Sequence, residues 1–471
     1  MKMLMRITFL ACTVLFSMFE PATASNRDIV GLWQGSLKFQ GMELRIVFHV
    51  DKDSTGALKT TMDSPDQGAK GIVVDKTSIV NDSVAFEVNI ISGGYYGVLQ
   101  SGDSVMIGFW KQGGVSLPLD IRTIREVAVI RHPQEPTPPY PYASEEVSYT
   151  NTESGFTLAG TLTKPSSGGP FPAVLLITGS GPQNRDEELL GQKPFLVIAD
   201  YLTRRGIAVL RVDDRGVGKS TGTFRTATTI DFTGDVKSGV TYLKSRTDVI
   251  SNKIGLLGHS EGGIIAPMVA SQSKDIAFIV LMAGPSIRGD RIICLQDSLI
   301  SAAMGVPAQI IRHNLQRDRT VFALVASESD TSKLKARVLS SIEQSMADDT
   351  LTGGKVNHED AEANANQITS PWFRFFLTYD PAPALEKVDC PVLAMNGSKD
   401  LQVPAEENIK GMNAAFSKSG NKRAKAVILP GLNHLFQKAE TGAPLEYAKI
   451  EETVNPAALK LMGDWIEETV K

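Results

Sequence analysis

The sequence predicts an α/β fold: a mostly parallel sheet flanked by helices and carrying a helical cap, preceded by an antiparallel β domain. Three observations lead there. From about residue 143 to 471, short apolar runs such as those beginning at Ala173 and Ala208 alternate with helical stretches at Phe195–Arg205 and Asp235–Arg246. That repetition implies a parallel sheet with helices on both faces. Between Ile29 and about Thr123 the texture differs, with alternating apolar and polar residues (Leu44 to Val50, Ser83 to Val88) punctuated by Asp, Asn and Gly. Such a pattern reads as about seven or eight antiparallel strands in a meander or small barrel, with Trp33 and Trp110 closing its core. Finally, RHPQEPTPPYPY at 131–142 is a Pro-rich spacer stiffened toward the extended polyproline form, and it marks a boundary. The expected layout is therefore 25–130 for the β domain, 131–142 for the linker and 143–471 for the α/β domain.

The segment KIGLLGHSEGGIIA, Lys253 to Ala266, holds the strongest chemical signal. An apolar run ends in Gly258-His259-Ser260-Glu261-Gly262 and resumes at helical spacing, which suits a serine nucleophile on a sharp strand-to-helix turn. Gly258, Gly262 and Gly263 supply the small residues that such a turn needs where backbones approach closely. Pro267, just inside the helix, should remove one backbone bond and bend it. A serine hydroxyl is a poor nucleophile until a base takes its proton, and the base needs a third group to hold it.

Two later segments offer those partners. Cys390 to Met395 reads as a buried strand running into Asn396-Gly397-Ser398-Lys399-Asp400, so Asp400 falls on a turn past the strand's C-terminal end. Ala424 to Leu429 repeats the arrangement and leads through Pro430-Gly431 to Asn433-His434. Ligand sites of open α/β sheets form at that edge, where Ser260, Asp400 and His434 can converge. Among six histidines, His49 lies in the β domain, His132 opens the Pro-rich spacer, and His259 sits beside the serine with its ring expected to point away. His313 and His358 fall in a helical insertion and stay open as alternatives. Asp380 and Asp389 precede the strand and belong at its wrong end.

Acyl transfer also needs donors for a developing oxyanion. The N–H of Glu261 is one. The loop Thr178-Gly179-Ser180-Gly181-Pro182, after the strand at Ala173 to Ile177, supplies the other. Pro182 has no N–H, which leaves Ser180, the first choice, or Gly181.

With these residues in place, positions 143 to 471 resemble the α/β-hydrolase superfamily. The resemblance is closest to bacterial serine esterases carrying TGSGPQNRDE, DDRGVGKSTG, GHSEGG and NGSKDLQVP in this order. It implies a catalytic triad with Ser260 as nucleophile, Asp400 as acid and His434 as base, and an oxyanion hole at Glu261 and the Ser180 loop. Where many relatives have His before the oxyanion glycine, this chain has Thr178. Relatives include serine peptidases and dienelactone hydrolases, so the resemblance speaks to mechanism more than to substrate.

Gly216-Val217-Gly218-Lys219-Ser220 invites a nucleotide-binding reading, but the P-loop spacing requires glycine where Asp213 stands. It reads instead as a turn, with Asp214 and Arg215 in structural ion pairs. No closely spaced His/Cys cluster or dinucleotide fingerprint is present, so neither metal nor cofactor is expected. A net charge of −4 and a pI near 6.0 argue against nucleic acid as a partner. Lys2 and Arg6, the apolar run Ile7 to Phe19 and Ala22-Thr23-Ala24 have the layout of a signal peptide over 1–24. Export to the periplasm or medium is therefore expected, without stable membrane insertion, since the run is short for a span. Cleavage would remove Cys12 and leave Cys294 and Cys390, too few for a disulfide framework.

Between about 287 and 372 the alternation stops and the chain turns polar and helical, the place of a cap above Ser260. Trp372, Phe373, Phe375 and Phe376 are candidates to line an apolar substrate pocket, or alternatively to form core. The expected activity is hydrolysis of a small-molecule or glycan-linked carboxylic ester. A serine aminopeptidase or dipeptidyl peptidase, anchoring a substrate amine on Glu261 or on Glu187-Glu188, is the alternative. A binding protein on a hydrolase fold is a third.

Overall fold

The computed structural model describes residues 27–39, 42–67, 69–112, 115–127, 132–348 and 356–471. The expected export segment at 1–24 and Arg131 lie outside these residues. The chain divides into two compact units, one drawn from residues up to Val127 and the other containing Ala128–Lys471.

The first unit is built on a ten-stranded sheet whose paired neighbours run antiparallel. The sheet has ten strands against the expected seven or eight, in part because Val115–Pro118 and Ile121–Ile124 are only four residues each, too short to show a period. Inward-facing aromatics from neighbouring strands make its centre. Phe48 and Phe86 lie 4.5 Å apart and each sits 5.8 Å from Tyr95. Trp33 and Trp110 are buried as expected, and the Trp33 indole N–H donates to the Ile29 carbonyl at 2.8 Å.

The second unit bears out the α/β-hydrolase fold. Its eight-stranded sheet runs, in spatial order, Tyr142–Thr150, Thr157–Pro165, Ala208–Val212, Phe171–Ile177, Val249–His259, Phe278–Met282, Val392–Gly397 and Ala424–Leu429. The first pairings are antiparallel, and from Ala208–Val212 onward they are parallel. Both faces are covered, which is why the strands read as continuous apolar runs rather than alternating ones. Ala173, Leu175 and Ile177 join a core with the helix Thr229–Ser245, while Val174 and Leu176 join the opposite core with the helices Pro194–Arg204 and Pro456–Val470.

One helix start differs from expectation. The helix expected from Asp235 begins at Thr229, because Thr228 and Asp231 form a capping box, the Asp231 carboxylate accepting from the Thr228 N–H at 2.8 Å. The described part of the Pro-rich spacer is anchored, not free: Gln134 accepts from the N–H groups of Thr453 and Val454 and donates to the Val454 carbonyl.

Helices Gly289–Ala303, Ala308–Ser327, Thr331–Asp348, His358–Ile368 and Pro371–Thr378 form the cap, inserted between the strands Phe278–Met282 and Val392–Gly397. It holds a small core of its own around Val321, Leu334, Val338 and Leu377. Its last helix runs six residues past 372, since the aromatic run Trp372 to Phe376 is itself helical.

At the sheet's centre the Phe278 ring lies across Gly255 on the adjacent strand, in the space that a Cβ would need. Gly255→Ala should therefore overpack a fully buried ring and cost roughly 1–3 kcal/mol, read as a lowered denaturant midpoint at unchanged slope.

Candidate active site

Ser260 stands between the strand Val249–His259 and the helix Gly262–Ala270 with φ 53°, a left-handed conformation that is strained for a residue with a Cβ. Its N–H donates to the Met282 carbonyl at 2.9 Å, tying the turn to the next strand. Glycine is required on either side: a Cβ at Gly258 would run into the Gly262 carbonyl, and one at Gly263 would stand 2.5 Å from the Gly284 Cα.

Asp400 and His434 come from two loops beyond the C-terminal ends of adjacent strands, and both are buried. One Asp400 oxygen accepts from the N–H groups of Gln402 (2.9 Å) and Val403 (2.8 Å), and the other lies 2.8 Å from His434 Nδ1. The carboxylate is thus fixed by its own turn before it meets the ring. The His434 loop is held by Asn433, whose side-chain oxygen accepts from the N–H groups of Leu435 (3.0 Å) and Gln437 (2.9 Å).

Ser260 and His434 border one cavity of about 200 Å³, with Ser180, Gln296 and Val403 also on its wall. Of the aromatic candidates, Trp372 and Phe376 line it, their rings stacked with centroids 5.3 Å apart. Phe373 does not: it turns into the cap core against Phe322, because on a helix its side chain points about 100° away from that of Trp372. Phe375 likewise leaves the cavity and stacks on Tyr379.

In the loop after Phe171–Ile177, Ser180 borders the cavity, whereas Gly181 (φ 95°) does not. The Gly179 N–H is already committed, donating to Glu187 Oε1 at 2.7 Å. Among the described residues, no backbone or side-chain acceptor takes the N–H of Ser180 or of Glu261. Thr178, the departure from the family pattern, donates its hydroxyl to Asp214 Oδ1 at 2.8 Å, and Gln183 N–H donates to Oδ2 at 2.9 Å. Asp214 therefore braces this loop and, among the described residues, has no cation partner, contrary to the expected ion pair. Burial pushes its pKa up to about 7. Arg215 does pair, with Asp235 at 2.7 Å. The P-loop-like turn closes on Asp213, which accepts from the Lys219 N–H at 3.0 Å and pairs with Arg185 at 2.7 Å.

Three features escaped the sequence reading. The His259 ring does not point away: it borders the cavity, 4.8 Å from the His434 ring and 2.9 Å from Glu187. Glu187 is buried at a left-handed φ of 50°. Glu261 sends its side chain under the cap, where Oε1 accepts from the Trp372 indole N–H at 2.8 Å and the Thr229 hydroxyl at 2.6 Å. Burial raises the pKa of Glu261 against these bonds. An acidic residue after the serine was visible, but nothing in the sequence marks which tryptophan would reach it. The alternatives to His434 lie elsewhere: His313 is exposed on a cap helix, and His358 pairs with Glu343 at 2.8 Å. Cys294 and Cys390 are both free. Among the described residues, no group of three or more His, Cys, Asp or Glu side chains is placed to hold a metal.

The strand order and the serine turn define an α/β hydrolase with its candidate site at the C-terminal edge of the parallel strands. The chain belongs to the X-Pro dipeptidyl-peptidase (S15) family, whose model matches residues 154–434. It is 27% identical over 293 residues to esterase EstD of Thermotoga maritima, covering 62% of this chain and 61% of that protein. It is 32% identical over 154 residues to human dipeptidyl peptidase 8, covering 31% of this chain and 17% of that one. The chain thus spans about three-fifths of the length of the first relative and a smaller part of the second. Among solved structures, Pyrococcus furiosus esterase Pf2001 is 14% identical with a TM-score of 0.44, covering 74% of this chain and 100% of that one. The α/β hydrolase GrgF from Penicillium sp. sh18 is 16% identical with a TM-score of 0.44, covering 70% and 99%.

Two outcomes follow. Trp372→Phe leaves a buried carboxyl short of one donor and should cost about 1–3 kcal/mol, read by chemical denaturation. Asp214 titrates near 7 when folded against an ordinary 3.8, so between those values the folded chain keeps a proton that the unfolded chain releases. Its contribution to stability should fall as pH rises through that window. Melting temperatures at pH 5 and pH 8 should show wild type losing ground relative to Asp214→Asn.

Proposed function

We propose that this protein is an exported serine hydrolase that cleaves carboxylic esters through an acyl-enzyme intermediate. What supports the reading is the Asp400–His434 hydrogen bond of 2.8 Å, fixed by backbone donors, opening onto the same cavity as a serine held at φ 53°. His434 Nδ1–H donates to Asp400, which leaves Nε2 free to take the Ser260 proton. Ser260 Oγ then attacks the ester carbonyl, and the oxyanion receives the N–H groups of Glu261 and Ser180. The positive end of the helix Gly262–Ala270 adds to that stabilisation. His434 returns its proton to the leaving alcohol, and a water, activated by the same nitrogen, releases the acid.

The esterase EstD relative favours ester over peptide, and a cavity of about 200 Å³ suits a small acyl group on a small-molecule or glycan-linked ester. The family description and the stretch shared with dipeptidyl peptidase 8 favour, as a second reading, a peptidase acting on a free amino terminus. The signal-like segment at 1–24 supports export.

Initial rates on chromogenic esters of graded acyl length, alongside dipeptidyl anilides, test the proposal. Turnover should favour short acyl groups of about two to four carbons. It should drop by at least ~10³-fold in Ser260→Ala. Anilide turnover without ester turnover would replace the esterase by the peptidase; no Ser260-dependent turnover would sink both.

A further inference from the structure

The loop that carries Ser180 also carries Glu187, and Glu187 faces the residue before the nucleophile. Its Oε1 accepts from the Gly179 N–H at 2.7 Å and lies 2.9 Å from His259 Nδ1, while His259 Nε2 lies 3.0 Å from the backbone oxygen of His434. One buried side-chain pair therefore touches three loops: the Ser180 loop, the Ser260 turn and the His434 loop. We infer that Glu187 and His259 are positioning residues, a second carboxylate–histidine couple that holds the backbone of the base loop and of the oxyanion loop in register with the nucleophile. The inference rests on the proposed serine hydrolysis for its consequence, though not for its geometry.

Counting protons gives the state of the couple. A backbone carbonyl only accepts, so His259 Nε2 carries a hydrogen. Glu187 Oε1 already accepts from Gly179, and as a carboxylate it also accepts from Nδ1, so both ring nitrogens donate and His259 is an imidazolium. Glu187 Oε2 is buried with no partner among the described residues, which leaves His259 as the cation that balances its charge. Burial opposes a charged His259, yet the Glu187 charge and hydrogen bond and the His434 carbonyl outweigh it and raise its pKa. The other titratable groups facing the couple are His434 at 4.8 Å ring to ring, Asp400 and Asp214.

Glutamine at 187 is nearly isosteric but does not supply both contacts and the negative charge. If its amide oxygen keeps Gly179 and Nδ1–H, the uncharged side chain leaves a buried cation unbalanced. If its NH₂ faces Nδ1, the Gly179 N–H loses its acceptor. Glu187→Gln should therefore lower kcat by about 10- to 100-fold with KM changed by less than about threefold. His259→Gln should do the same. The double variant should lose no more than the worse single one, because the pair acts as a unit. Side-chain ¹⁵N–¹H correlation spectra are tractable with six histidines, and between pH 6 and 8 they should show one ring protonated on both nitrogens that disappears in His259→Gln. A single-tautomer signal for His259, or losses in kcat that add across the two variants, would overturn the inference. So would variants that melt lower but keep wild-type kcat. The spectra do not need turnover, so failure of the couple and failure of the hydrolase reading are separable: the first is read at His259, the second in Ser260→Ala.

Discussion

A residue with a side chain at φ 53° stores on the order of 1–3 kcal/mol of strain, and the rest of the site is arranged around keeping Ser260 there. The turn is closed by backbone contacts that admit no Cβ at Gly258, Gly262 or Gly263, and it is tied sideways by the Ser260 N–H to the Met282 carbonyl. The sheet makes those contacts possible. Strand Val249–His259 has parallel neighbours on both sides, so the turn leaves the sheet where its position is most constrained. A loop at a sheet edge would relax toward an ordinary conformation and withdraw the hydroxyl. The fold therefore supplies the rigidity that lets a local strain persist.

How far the sequence reveals this depends on the range of the interaction concerned. Ser260, Asp400 and His434 each follow a short apolar run closed by turn residues, a local pattern, and the parallel sheet then brings the three loop ends to one edge. Glu187 and His259 are 72 positions apart and Trp372 and Glu261 are 111 apart. Such contacts exist only after the loops fold over one another, and no local pattern encodes them. His259 was misread for the same reason. Strand alternation says that it points opposite to Ser260, but at this edge both directions are covered, and the opposite one is filled by Glu187 and the His434 loop. Phe373 illustrates the converse, since helical geometry alone separates it from Trp372 and Phe376.

Four carboxyl groups crowd this edge, and their surroundings divide their roles. Asp400 has two backbone donors and the His434 ring, so it is fixed in place to orient a base. Glu187 is balanced by His259. Asp214 has donors but, among the described residues, no cation, and burial carries its pKa to about 7. Glu261 is similar, with two donors on one carboxyl oxygen and burial raising its pKa. These are different solutions to one electrostatic problem, the repulsion among acids in a poorly solvated place.

The Glu261 solution bears most directly on the proposed chemistry. Its own backbone N–H is one of the two donors proposed for the oxyanion, so a negative side chain on the same residue would oppose the charge that the N–H is there to stabilise. Pushing its pKa upward favours the neutral acid, and the Trp372 and Thr229 donors spread whatever charge remains away from the cavity. Those same bonds join the cap, through Trp372, to the turn that carries the nucleophile. Cap placement and oxyanion electrostatics are in this way coupled through one side chain: a cap displaced from Trp372's present position would take a donor from Glu261 and change the field at the reacting carbonyl.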